Sequence, residues 1–219
     1  ASQGQPDFYV KGVPATTTAP ELEVSQPRIY FGESAESQDY VVVNSLQEEV
    51  DYPLSTDGQS VAYTNYSGKG GVGIGSFFQR LGFSLRYSEL NLMISNQLSD
   101  DSKIIMERNI TSRVKKAAPF LYTDNDPYLA LIEGDLFWII DMYTVSDKYP
   151  YAQPADTRRI NERSGLPMSF NYIRNSVKAV VNAYDGTMNF YVFDKTDPLI
   201  QKSWKLPSAI LSASRSRIT

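Results

Sequence analysis

The chain contains no cysteine and no histidine. Their absence removes thiol nucleophiles, Cys/His zinc centres, Ser-His-Asp triads and histidine pH switches. The lack of cysteine fits both a reducing cytosol and an exported domain without disulfides. Long hydrophobic runs are missing as well. The densest, Leu129–Ile132 and Leu136–Ile140, are split by Glu133-Gly134-Asp135 and fall far short of the ~20 apolar residues that span a bilayer. No strong excess of one charge is present either. With 21 basic and 25 acidic residues the net charge is −4 and the pI about 5.0, whereas a nucleic-acid binder shows a basic excess. The start, Ala1-Ser2-Gln3-Gly4, has neither the charged n-region nor the apolar h-region of a signal peptide. It reads as the start of a cytosolic protein or, preferably, of a piece cut from a larger one.

What is present is enough chain for a sizeable core: 219 residues bury about 70% of their unfolded surface. Residues 1–27 hold Pro6, Pro14, Pro20 and Pro27 with the run Thr16-Thr17-Thr18, and read as an extended arm that adds an edge strand. Arg28–Phe31 and Tyr40–Val43 read as short strands. From Ser76 to Leu98 the pattern turns helical. Phe77, Phe78, Leu81 and Leu85 recur at helical spacing, and Ser88 resembles the N-cap of a second helix carrying Leu90, Met93 and Ile94. A third helix places Ile110, Val114, Ala117 and Ala118 on one face before Pro119.

The second half changes period. Tyr128–Ile132 and Leu136–Tyr143 flank Glu133-Gly134-Asp135, and Val177–Tyr184 and Thr187–Asp194 flank Asp185-Gly186. Both predict hairpins. Leu199–Leu206, with Trp204, reads as a short closing helix. These elements predict an α+β domain over 28–207: an antiparallel sheet of hairpins, helices packed on one face, the extended arm 1–27 before it and a polar tail at 208–219.

Several strings imitate chemistry. Lys69-Gly70-Gly71-Val72-Gly73-Ile74-Gly75-Ser76 copies a phosphate loop, but Ile74 and Gly75 stand where lysine and a magnesium-binding hydroxyl are required, so no nucleotide is expected. Ser112-Arg113-Val114-Lys115 lacks the companion elements of an acyl-enzyme site. Pro127 breaks the calcium-loop pattern begun by Asp124-Asn125-Asp126, which reads instead as a turn. No cofactor and no metal are expected. Arg108, Arg113, Lys115 and Lys116 give the third helix a basic side. It is either a solvated face favouring the helix dipole or, through Arg113, Lys115 and Lys116, a contact with anionic lipid.

Tyr143–Pro154 is rich in tyrosine and proline. It is either a rigid loop packed on the sheet or a peptide- or glycan-binding loop. If the strands beside it share one sheet, Arg174 meets Asp147, Tyr149 and Tyr151. Arg174 then forms a structural clasp, or binds an acidic ligand in an aromatic-walled cavity.

Read in order, a set of strings resembles a known family. They are Pro27–Glu33, Tyr40–Asn44, Gly68–Val72, Ser76–Leu81, Asn109-Ile110, Ala118–Leu121, Tyr143–Tyr151, Asn171–Lys178 and Tyr184–Thr187. Over roughly residues 4–200 they resemble Uncharacterised Protein Family 0182, large multi-pass bacterial membrane proteins with a long soluble region after their transmembrane helices. The resemblance implies an extracytoplasmic fragment of a cell-membrane protein, whose partners are the transmembrane portion of its own full-length chain and anionic lipid or envelope components. It supplies no catalytic or binding residues. Lys205–Thr219 departs from the usual continuation, and the glycines around Ile74 and Gly75 imply a more flexible loop. The expected function is a non-catalytic interaction or ligand-sensing domain. The rival is an enzyme acting on an envelope polymer through two acids drawn from Asp124, Asp126, Asp141 and Asp147.

Overall fold

The computed structural model describes residues 8–35, 40–54, 60–161 and 164–203. In chain order the strands and helices are β1 (Val10–Lys11), β2 (Thr16–Thr17), β3 (Val41–Val43), β4 (Glu49–Pro53), β5 (Val61–Thr64), β6 (Val72–Gly73), α1 (Phe77–Tyr87), α2 (Asn91–Ile94), β7 (Lys103–Ile105), α3 (Ile110–Ala117), β8 (Tyr122–Thr123), β9 (Tyr128–Ile132), β10 (Asp135–Ser146), β11 (Tyr172–Asn182), β12 (Met188–Val192) and α4 (Pro198–Ser203). This is the α+β architecture the sequence predicts. A five-stranded antiparallel sheet runs β12-β11-β10-β8, with β9 paired to the start of β10. A smaller sheet runs β3-β7-β6, and β4 pairs with β5 alone.

Alternation explains the main sheet. Along β11 and the turn after it, Val177, Ala179, Val181 and Ala183 are buried, and Ile140 and Met142 of β10 face the same side. Helix α3 lies against this face through Ile110, Val114 and Ala118, and α4 through Ile200. Asn109 caps α3, its Oδ1 accepting the Ser112 amide at 2.8 Å.

Both hairpins form. At the first, Glu133 (φ 52°) and Gly134 (φ 87°) are left-handed, as a two-residue primed turn demands. β10 runs on to Ser146, beyond the predicted end. At the second, the strands part at Val181↔Met188, so the turn is wider than Asp185-Gly186. Asn182 Oδ1 organises it by accepting the amides of Tyr184 and Asp185 at 2.8 and 3.0 Å. Gly186 is required twice: its φ is +70°, and a Cβ there would enter the Phe31 ring.

Three local expectations are corrected. Arg28–Phe31 is no strand; the amides of Tyr30 and Phe31 share the Ala183 carbonyl at 2.9 and 3.0 Å. The arm adds no edge strand. Its β1 and β2 pair with each other, and it meets the main sheet through one bridge, Gln26↔Asp135. Ser88 does not open α2; it closes α1 in the left-handed conformation, φ 53°, and α2 is a single turn. Trp204 and the predicted tail 208–219 lie outside the described residues.

Candidate functional site

Helix α1 begins with a capping box. Ser76 Oγ accepts the Gln79 amide at 3.3 Å, and Gln79 Oε1 accepts the Ser76 amide at 3.2 Å. Arg80 then ties the helix down. Its guanidinium donates to the carbonyls of Ile74 (3.1 Å), Ser95 (3.4 Å) and Leu98 (3.0 Å), so one side chain joins the entry of α1 to the exit of α2. The side of α1 turned inward carries Arg80, Phe83, buried Ser84 and Tyr87. Tyr87 packs on Tyr40, ring centroids 4.5 Å apart. At about 100° per residue the opposite side carries Phe78, Gly82 and Leu85, while Phe77 projects from the first position of the helix. Phe77, Phe78 and Leu85 are 59%, 82% and 73% exposed. On α2, Leu90 and Ile94 are each 71% exposed. Of the four apolar side chains at helical spacing, Leu81 is half-buried and Phe77, Phe78 and Leu85 stand in solvent, a concentration uncommon on a soluble surface.

The basic residues separate. Arg113 is half-buried and engaged within the fold: its Nε donates to the Gly186 carbonyl at 3.1 Å and its guanidinium lies 4.9 Å over the Phe31 ring. Burial lowers its pKa. Lys115 is exposed and reaches Asn125 Oδ1 at 3.3 Å. Lys116 joins Arg86 on one carboxylate, Glu107, at 2.5 and 3.5 Å. That shared acid brings the α3 cation beside the rim of the exposed α1 face.

The tyrosine loop and β11 do meet, and of the residues predicted for that contact Tyr149 takes part in it. Tyr149 stacks on Tyr172 (centroids 4.5 Å, planes 19° apart). Asn171 clamps the loop, its Nδ2 donating to the Tyr149 carbonyl and its Oδ1 accepting the Tyr149 amide, at 2.8 and 2.9 Å. Arg174 pairs with Asp194 at 2.9 Å and donates to Thr196 at 3.2 Å; its partner is not Asp147. Tyr151 stands wholly in solvent at φ 59°.

One buried acid escaped the sequence reading. Asp197 is fully buried. It accepts from the Tyr172 hydroxyl (2.7 Å), the Leu199 amide (2.9 Å), and the hydroxyls of Thr144 and Ser176. Burial pushes its carboxyl up, but these donors outweigh burial and hold it below the usual range. A register shift between β10 and β11 leaves Ser176 unpaired, so that it and Val177 both turn inward. Asp-Pro at 197–198 is the signal of a helix start with proline at its first position. Of the acids considered for catalysis, Asp124 and Asp141 are neighbours, the Asp124 amide donating to the Asp141 carbonyl at 2.8 Å, and each carboxylate has its own partner: Asp141 pairs with Lys178, and Asp124 accepts from Tyr143 at 3.2 Å.

The glycine-rich string is taken up by packing. A Cβ on Gly68 would fall inside the Tyr66 ring, and one on Gly70 would strike the Asp185 carbonyl. Ile74 is buried with Leu92 and Ile104, and Gly75 abuts the Asp100 backbone. Close approach replaces the flexibility expected there. Burial pushes the Tyr66 hydroxyl up to about 12.

A cleft of about 760 Å³ lies between the arm and the β4–β5 pair. Its polar groups are mutually engaged: Arg28 pairs with Asp51, and Tyr30 donates to Glu49, each at 2.5 Å.

Among the described residues no helix is long and apolar enough to cross a membrane. No solved structure matches this chain. A UPF0182 protein of Desulfitobacterium hafniense (strain Y51) is 45% identical over 204 residues, covering 93% of this chain and 20% of that protein. One from Clostridium acetobutylicum is 42% identical over 205 residues, covering 94% and 20%. One from Trichodesmium erythraeum (strain IMS101) is 41% identical over 213 residues, covering 94% and 22%. The chain thus spans about a fifth of the length of these relatives. With the family model matching residues 1–207, the chain belongs to the uncharacterised protein family UPF0182.

Proposed function

We propose that this chain is a non-catalytic interaction domain, lying outside the cytoplasm in a multi-pass membrane protein and docking through the outward face of α1 and α2. The observation that carries this reading is the exposure of Phe77, Phe78, Leu85, Leu90 and Ile94 on two consecutive helices. Such a face costs solubility unless something covers it. The capping box and Arg80 hold the helices in place without help from that face, so the surface is formed before its partner arrives. The lengths of the relatives leave ample chain to bring this domain beside a membrane. Although Asp124 and Asp141 are neighbours, each carboxylate is taken up by another side chain, Tyr143 and Lys178, which supports a binding role over paired acid–base chemistry.

Thiol labelling of the full-length protein in intact cells tests this reading, with cysteine introduced at Phe78 or Tyr151 in an otherwise cysteine-free background. A membrane-impermeant maleimide is expected to label Tyr151→Cys and spare Phe78→Cys. Equal labelling of both contradicts docking, and failure to label Tyr151→Cys before cell lysis contradicts the location.

A further inference from the structure

We infer that the α1–α2 face is a membrane-interface element, its apolar side chains entering the boundary between headgroups and acyl chains of an anionic bilayer. This inference rests on the docking reading above and names the occupant.

Three observations favour a lipid surface over a protein groove. The first is shape. The exposed side chains crown two short helices, and the cleft described above is lined by neither of them. A convex apolar crest needs a complementary groove in a protein partner, whereas acyl chains conform to it. The second is composition. The crest is Phe, Phe, Leu, Leu and Ile, side chains that partition into the bilayer boundary, and it lacks the Tyr, Trp and Arg anchors typical of protein hot spots.

The third is charge. Residues 58–88 contain no Asp or Glu and carry Lys69, Arg80 and Arg86, in a chain of net charge −4. On α1, Arg86 lies about 100° from Leu85 around the helix, at the edge of the crest, with its side chain 54% exposed. Lys116, 61% exposed, is brought beside it by Glu107. Arg86 and Lys116 carry two positive charges against one, and their long stems let the charged ends reach headgroups while the crest inserts. Of the nearby acids, Glu89 accepts the Asn91 amide at 3.2 Å at the start of α2, and the Asp100 backbone lies against Gly75 at the other end of α1. The face thus pairs an apolar crest with a cationic flank, the combination that holds a helix in the plane of an anionic membrane.

The test is cosedimentation of this chain with phosphatidylcholine vesicles, with and without phosphatidylglycerol. Binding is expected to favour the anionic vesicles and to weaken as salt rises. Phe78→Ser with Leu85→Ser is expected to reduce binding more than about tenfold on both vesicle types. Arg86→Gln with Lys116→Gln is expected to remove the preference for phosphatidylglycerol, a drop of roughly tenfold, and to leave binding to neutral vesicles unchanged. Circular dichroism checks that each variant is folded.

No binding to either vesicle, with Phe78→Cys still protected in the full-length protein, overturns the lipid assignment and leaves docking onto protein. Concentration-dependent self-association abolished by Phe78→Ser with Leu85→Ser, without vesicle binding, also overturns it and names a second copy as the occupant. Absence of vesicle binding together with full labelling of Phe78→Cys overturns both readings.

Discussion

Helices α1 and α3 carry the same kind of pattern and use it in opposite ways. In α3 the apolar positions Ile110, Val114 and Ala118 are fully buried against the main sheet. In α1 the apolar positions Phe77, Phe78 and Leu85 face solvent, and the inward side holds Arg80, Phe83, Ser84 and Tyr87. Amphipathic periodicity reports that a helix has an apolar side; it does not report which surface that side meets. The two helices also draw their stability from different sources. Most helices depend on packing of the apolar face, as α3 does. Helix α1 depends on its capping box, on the guanidinium of Arg80 and on a polar and aromatic inner side.

The largest effects belong to the buried partners of this contrast. Ile110→Ala is expected to lower stability by about 3 kcal/mol, through lost burial and the cavity left behind. Urea denaturation measures it. A comparable loss, about 3 kcal/mol, is expected of Asp197→Ala, which strands the hydroxyls of Thr144 and Ser176 in the core.

This second change carries a pH signature. The folded carboxyl of Asp197 has a lowered pKa, so its stabilising contribution is complete above the unfolded value of about 3.9. The contribution fades as pH falls through the folded value. The urea midpoint of the native chain therefore drops on the acid side of about pH 4, and Asp197→Ala flattens part of that fall. An unchanged acid limb in Asp197→Ala would show that Asp197 is not the group titrating there.

Arg80→Ala is expected to cost about 2 kcal/mol, because charge-assisted bonds to three carbonyls are lost at a half-buried site. Amide hydrogen exchange should rise in α1 and α2 together and stay unchanged in α3. Equal acceleration in α3 would mean that Arg80 supports the whole fold rather than this helix pair.

Local signals in the sequence reached the hairpins, the α3 face and the fold class, because two-residue turn chemistry and alternation act over short distances. They did not reach the sites, which depend on register. The bulge that turns Ser176 toward Asp197 and the pairing of Thr144 with Arg174 follow from how β10 and β11 align. Flanking one end of the sheet predicts Arg174 beside Asp147, yet Asp194, just after β12, meets it. Asn171, rather than Arg174, holds the tyrosine loop. Its place in the Asn171–Lys178 string was visible; the role was not, since an amide that clamps a loop looks like any polar residue. The glycine-rich string shows the same limit. Gly68 and Gly70 serve close contact with Tyr66 and Asp185, and only the fold brings Asp185 there.

The smallest expected effect is also the most direct test. Helix α1 turns its apolar side away from the core, so Phe78→Ser together with Leu85→Ser should leave the urea midpoint of this chain nearly unchanged, within about 0.5 kcal/mol. A loss of about 3 kcal/mol or more, the scale of a core truncation, would place these side chains inside the fold and contradict the account.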